Sequence, residues 1–324
     1  MKLLLIGGPR FLGRAITDAA LERGHELTFF NRGATNPELY PDVERLVGDR
    51  TSDLSLLAGR EWDAVVDTCG YLPGVVRASA EALADAVDLY CFVSSVSVYA
   101  DFSQPVDEDS PLAQLGDLPG DEITEETYGP LKALCEAAVQ DVFADRTANV
   151  RPGLIVGPND PTGRFTYWPH RVARGGQVLA PAPPDAPTQF VDVRDLGDWI
   201  VSLCERRIGG EFNATQPGVT WRELLETCRS VAGNDATIAW VSRDFLVEQE
   251  VGQWMELPLW IDSQDPEAAY FDRVAVQRAL GTGLAFRPLT ETVRGTLDEA
   301  ETTDTAGLKP EREAALLAEW HGRE

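Results

Sequence analysis

The chain has 324 residues, 44% of them hydrophobic, enough apolar material for one large core or one core with a smaller appendage. Its formal charge of −25 sets a phosphate polyanion against net repulsion, which excludes nucleic acid as the expected partner. Five single cysteines (Cys69, Cys91, Cys135, Cys204, Cys228) suit neither a disulfide framework nor a metal site. No apolar run approaches the roughly 20 residues that span a bilayer, so a cytoplasmic protein with no membrane partner is expected.

In chain order, "KLLLI" reads as a strand and runs into "IGGPRFLG" (6–13), a glycine turn. A helix follows from about Phe11 to Arg23, then "ELTFF" ending in "NRG", then "VERLVG" and "DAVVDT" as further strands. A helix near 74–86, the strand "LYCFVSS", a helix near 127–144 and the strand "NVRPG" complete the pattern. Strands rich in Val, Ile, Leu and Phe alternating with helices predict an α/β, Rossmann-type doubly wound parallel sheet, with ligands beyond the carboxyl ends of its strands. Residues 101–127 carry nine acids and neither Lys nor Arg, and read as a solvated surface loop rather than a lid. "PAPPDAP" (181–187) reads as a connector. After about 215 the chain turns helical and carries Trp221, Trp240, Trp254 and Trp260, the expected smaller substrate-binding region. The predicted division is 1–160 with about 187–214 for the dinucleotide, and 161–186 with 215–324 for the substrate.

The glycine turn carries the first chemistry. Gly7 and Gly8 give the turn its freedom, Gly13 lets the helix pack closely, and Phe11 and Leu12 open a helix whose N-terminus suits a pyrophosphate. Arg10 stands where a middle glycine is expected. At the end of the second strand, Asn31 and Arg32 occupy the place where NAD enzymes typically hold a ribose-binding acid. With no carboxylate there to repel a 2′-phosphate, Arg10 and Arg32 are expected to grip it jointly and to favour NADP(H), with NAD(H) as the other option.

"YGPLK" supplies the second signal: Tyr128 and Lys132 are four apart and share a helix face. A neighbouring ammonium is expected to lower the phenol's pKa toward working pH. "FVSSVSVY" ends the fifth strand, where a serine hydroxyl can hold a substrate oxygen near that phenol.

With these pieces the chain resembles the short-chain dehydrogenase/reductase superfamily, in its extended NAD-dependent epimerase/dehydratase-like branch and the GGxRFxG variant of it. The resemblance runs from Met1 to about Leu203 through "IGGPRFLG", "NRG", "GDR", "FVSSVSVYAD", "YGPLKALCE", "VRPGLIVGP" and "QFVDVRDL". It implies Ser95 as the catalytic hydroxyl, Tyr128 as acid and base, and Lys132 as the residue that binds the nicotinamide ribose and tunes Tyr128. It implies further that Asp49, with Arg50 beside it, approaches the adenine. Thr68, Cys69 and Gly70 would pass the cofactor ribose, and Pro152 would border the nicotinamide. Sugar dehydratases of the family place an Asp-Glu pair after the catalytic hydroxyl, whereas Val96 and Ser97 stand here, so water elimination lacks its acid and base. The branch often pairs two subunits, which implies a homodimer as an option.

"NDPTGRFTYWPHRVARGG" (159–176) is expected to fall over the nicotinamide. Tyr71, Arg164, Tyr167 and Trp168 are candidate substrate contacts, with Arg164, His170, Arg171 and Arg174 available for an anion. His170 is not needed as a base beside Tyr128. The function expected is an oxidoreductase moving a hydride between nicotinamide and a carbonyl or secondary alcohol of a small molecule. An epimerase retaining NAD is the alternative within enzymes; a non-catalytic dinucleotide sensor or RNA-associated protein is the alternative outside them.

Overall fold

The computed structural model describes residues 1–262, 264–299 and 306–323. The apolar runs form parallel strands β1 (Lys2–Ile6), β2 (Glu26–Asn31), β3 (Glu44–Val47), β4 (Trp62–Asp67), β5 (Val87–Val93) and β6 (Thr147–Pro152). A seventh strand, Gly210–Ala214, pairs with β6, and the sheet order is Gly210–Ala214, β6, β5, β4, β1, β2, β3. The chain leaves β1 toward β2 and later returns on its other side to lay down β4, so a crevice opens beyond the ends of β1 and β4.

Helices cover both faces, which is why β1 can be apolar from Leu3 to Ile6: Leu3, Leu4 and Leu5 are all fully buried. Helix α1 (Leu12–Glu22) and the helix Val193–Arg206 pack on one face, and α2 (Pro73–Leu83) and α3 (Glu125–Phe143) on the other. These helix bounds lie within about three residues of those expected from the sequence pattern.

A second core gathers Trp168, Trp221, Phe190, Phe245 and Trp260. It is tied to the first by two short parallel strands, Leu154–Val156 and Phe190–Asp192. Side chains alternate across a strand, so Leu154, Val156 and Phe190 enter the second core while Ile155 and Val191 enter the first. The helix Pro310–His321 closes the second core by inserting buried Glu313, which accepts from Arg171 Nε at 2.6 Å and from the Leu179 backbone at 3.0 Å.

The acidic stretch 101–127 is mostly exposed, as expected of a surface loop, but some of its residues turn inward. Val106 and Glu108 are buried, and the Glu108 carboxylate accepts from the Asn213 backbone at 3.0 Å. The sheet edge at Gly210–Ala214 therefore draws one of the nine acids inward. Among the described residues no helix is long and apolar enough to cross a membrane.

Candidate active site

The turn after β1 is built by exclusion. Gly7 takes φ +130°, and a Cβ there would lie 2.2 Å from Thr68 Oγ1; at Gly13 it would lie 2.1 Å from the Gly8 carbonyl. Gly8 instead faces open space, with nothing within 4 Å of a Cβ position. Phe11 heads α1 at φ +45°, a left-handed setting that a bulky residue adopts only when its surroundings hold it. No side chain caps this helix start and no acid sits in its first turn, so its outward N–H groups suit an anion. A cavity of about 280 Å3 opens on the turn, lined by Arg10, Phe11, Arg14, Asn36, Asn159 and Asp160 among others.

Asn31 braces this mouth: its amide donates to the Gly7 carbonyl at 2.9 Å and accepts from Gly33 N–H at 2.8 Å. Arg10 and Arg32, expected to act together, have different neighbours. Arg10 lines the cavity and its charge reaches Tyr71, whereas Arg32 acts on Asp49. Asp49 is half-buried and accepts from Thr51 N–H and hydroxyl at 2.9 and 2.7 Å; these hydrogen bonds hold its carboxyl below the usual range.

Arg50 corrects the expectation of a cofactor-binding side chain. Its guanidinium turns inward and forks onto fully buried Asp67 at 2.9 and 2.7 Å, with Ser79 Oγ at 3.0 Å. Asp67 in turn accepts from Tyr90 OH and from Cys69 N–H. A buried carboxylate at the end of β4 needs this compensation, and the pair fixes the Thr68-Cys69-Gly70 turn. Burial pushes the Cys69 thiol up to about 11, so it stays protonated.

Ser95 follows β5 and caps the short turn Val96–Val98, accepting from Ser97 N–H at 3.1 Å and donating to Ser97 Oγ at 3.0 Å. Helix α3 lies directly on this turn: a Cβ on Gly129 would sit 2.2 Å from the Ser97 carbonyl. That contact brings Tyr128 alongside Ser95. Burial pushes the Tyr128 phenol above its ordinary range, opposed first by hydrogen bonding with Ser95 and then by the charge of Arg164. One turn on, Lys132 is 3% exposed and donates to the Gly70 and Val93 carbonyls at 2.8 and 2.7 Å. Its ammonium also lies 4.3 Å from the Phe92 ring centroid and 5.4 Å from that of Tyr71. Burial lowers the Lys132 pKa to about 8. The expectation that Lys132 lowers the Tyr128 pKa is corrected: the ammonium is turned to two carbonyls, and burial decides the phenol's shift.

Beneath these residues lies a buried polar network that sequence reading missed. Glu136, one turn beyond Lys132, accepts from Arg151 Nε and NH2 at 3.0 and 2.7 Å. Arg151 also donates to Tyr99 OH at 3.0 Å and to the Glu108 carbonyl at 3.2 Å, and Tyr99 donates to Asn213 at 2.6 Å. Pro152, buried at the end of β6, follows Arg151 directly.

The aromatic stretch divides. Tyr167 and Trp168, expected as substrate contacts, are 6% and 0% exposed and belong to the second core, with Trp168 Nε1 donating to the Pro258 carbonyl at 2.9 Å. Arg171 is engaged by Glu313; Arg174 is exposed and His170 half-buried. Arg164 alone of this group acts on Tyr128, and its guanidinium carbon lies 4.5 Å from the Trp254 ring centroid. Trp254 was legible only as one of several late tryptophans, because its pairing with Arg164 is made by the fold.

Comparison with known proteins agrees with this fold. Residues 71–214 match the NAD dependent epimerase/dehydratase family. The chloroplast stem-loop binding protein of 41 kDa b from Arabidopsis thaliana is 23% identical over 258 residues, covering 72% of this chain; the chain spans 63% of that relative's length. Among solved structures, UDP-glucuronic acid 4-epimerase from Bacillus cereus in complex with NAD superposes with a TM-score of 0.65 at 16% identity, over 92% of this chain and 96% of that one. The human epimerase family protein SDR39U1 with NADPH gives 0.60 at 20% identity, over 93% and 100%.

Proposed function

We propose, from the likeness of residues 71–214 to the NAD dependent epimerase/dehydratase family, that the chain is an NADP(H)-preferring reductase of small carbonyl compounds. It is a nicotinamide-dependent enzyme of the short-chain dehydrogenase type. The open face of Gly8, the uncapped start of α1 and the adjoining cavity fit a dinucleotide. Gly7, Arg10, Phe11, Leu12 and Gly13 would hold its pyrophosphate, with Asn31, Arg32 and Asp49 at the adenosine end. Thr68, Cys69, Gly70, Lys132 and Pro152 would line the nicotinamide end. When bound, the dinucleotide supplies the hydride.

The observation that carries the reading is the meeting of Ser95 and Tyr128, with Lys132 one turn away, at the carboxyl edge of the sheet. A phenol held above its ordinary range keeps its proton at neutral pH, which suits donation to a developing alkoxide and hence carbonyl reduction. Ser95 holds the carbonyl oxygen in line with that proton. Two of the three Lys132 N–H donors are taken by carbonyls, leaving one for a ribose hydroxyl. Arg32, directly after β2 and with no acid in place of Asn31, supports the preference for a 2′-phosphate.

Tyr128→Phe should lower turnover by about 10²- to 10⁴-fold, the span of a general acid's contribution, while NADPH binding followed by fluorescence stays within about twofold of wild type. Unchanged turnover would overturn the mechanism. Stoichiometric loss of NADPH marks a reductase; substrate isomerisation with no net loss marks an epimerase. The stem-loop binding named for the plant relative is not carried over, since a net charge of −25 opposes a phosphate backbone.

A further inference from the structure

Arg164 is held in a fixed place where, among the described residues, no acid is hydrogen-bonded to it and Asp160 acts on it through its charge alone. Its loop is set by positive φ at Gly157, Asn159 and Gly163 and closed by Tyr167 N–H on the Gly163 carbonyl at 2.9 Å. Its Nε is buried without a hydrogen-bond acceptor, and among the described residues its guanidinium forms no ion pair. The acid nearby, Asp160, is turned instead to Thr162, accepting from its N–H at 2.8 Å and its hydroxyl at 3.1 Å.

The other deeply placed arginines set the contrast. Arg50 is paired with Asp67, Arg151 with Glu136 and Arg171 with Glu313, at 2.7, 2.7 and 2.6 Å. Each follows the rule that a covered charge is compensated. Arg164 has only the charge of Asp160, which is not hydrogen-bonded to it, and it stands where its own charge reaches the Tyr128 phenol. Its one strong neighbour is an aromatic face: Trp254 lies under the guanidinium at 4.5 Å, and Phe271 meets the same indole edge-on at 5.7 Å between centroids. A guanidinium held against an aromatic face keeps its N–H donors for a two-pronged oxyanion.

Building on the Tyr128 reading, we infer that the substrate is an anionic carbonyl compound whose carboxylate or phosphate is gripped by Arg164, while Trp254 and Phe271 receive its flat or apolar part. Neutral carbonyl compounds of the same size are then poor substrates, because they leave the guanidinium with no hydrogen-bonded acid.

The test is binding rather than turnover. Benzoate, phenyl phosphate and neutral benzamide are titrated calorimetrically into the full chain with and without NADP+, for wild type, Arg164→Gln and Arg164→Lys. Wild type should bind at least one of the two anions about tenfold or more tighter than benzamide, the span of one charge-assisted hydrogen bond. The tighter anion separates carboxylate from phosphate. Arg164→Gln should lose that preference and Arg164→Lys keep part of it, with NADP+ affinity in both variants within about twofold of wild type. Equal binding of benzamide, binding of neither anion, or an undiminished preference in Arg164→Gln overturns the inference. Because no hydride transfer is read, an anion preference beside an indifferent Tyr128→Phe result would sink the mechanism and leave this site standing, and the reverse pattern would do the opposite.

Discussion

At the scale of single residues, the site turns on two groups whose titration burial has moved. Tyr128 was legible because a tyrosine four residues before one of only three lysines in the chain is conspicuous. Its direction of shift was not legible, since that depends on how deeply the phenol sits and on where Lys132 points. The ammonium, lowered to about 8, loses its proton as pH rises through that value and with it one donor to the cofactor ribose. The limb is set by a lowered lysine, so function is full below about pH 8 and falls above it. kcat/KM for NADPH, which reports the free enzyme, should decline by about tenfold per unit beyond pH 8 to 9, measured by initial rates across pH 6 to 10. A flat profile over that range would remove Lys132 from the cofactor's grip. Arg50 and Trp168 show the opposite limit: a guanidinium after a strand and an indole in a glycine-rich stretch look alike in sequence whether they face a ligand or the core, and only Asp67 and the Pro258 carbonyl decide the matter.

At the scale of elements, α3 carries both the phenol and the ammonium, and its seating is fixed at two heights. Gly129 meets the Ser97 carbonyl, and Glu136 takes Arg151 of β6 in a pair with side chains 4% and 3% exposed. Removing one partner leaves a charge buried without compensation, so Glu136→Gln should destabilise the fold by about 3–5 kcal/mol, checked by urea unfolding. A loss below about 1 kcal/mol would mean that water reaches Arg151. The strands and helices themselves were readable from hydrophobic period, because a parallel sheet covered on both faces demands continuous apolar runs. The stretch 101–127 was readable only in part. Its composition belongs to solvent, yet Glu108 is claimed by a backbone N–H at the sheet edge, a demand that no local pattern announces.

At the scale of the whole molecule, the excess of 53 acids over 28 basic residues means that self-repulsion works against the compact state. Screening should relieve it: the thermal midpoint is expected to rise by a few degrees between about 0.05 and 1 M NaCl, followed by scanning calorimetry. A midpoint that falls instead would mean that the many surface ion pairs, such as Arg323 with Glu248 and Arg23 with Glu205, outweigh the net charge. The two cores are interleaved along the chain. The outermost strand, Gly210–Ala214, comes after the excursion through Leu154–Val156 and Phe190–Asp192, and Glu313 fastens the second core only near the last helix. For a polypeptide emerging from the ribosome at about 5–20 residues per second, neither half can be completed in the order it is made. The nascent sheet must wait with β6 as an unguarded edge until Gly210–Ala214 has been made, and an unpaired edge is open to pairing with another chain.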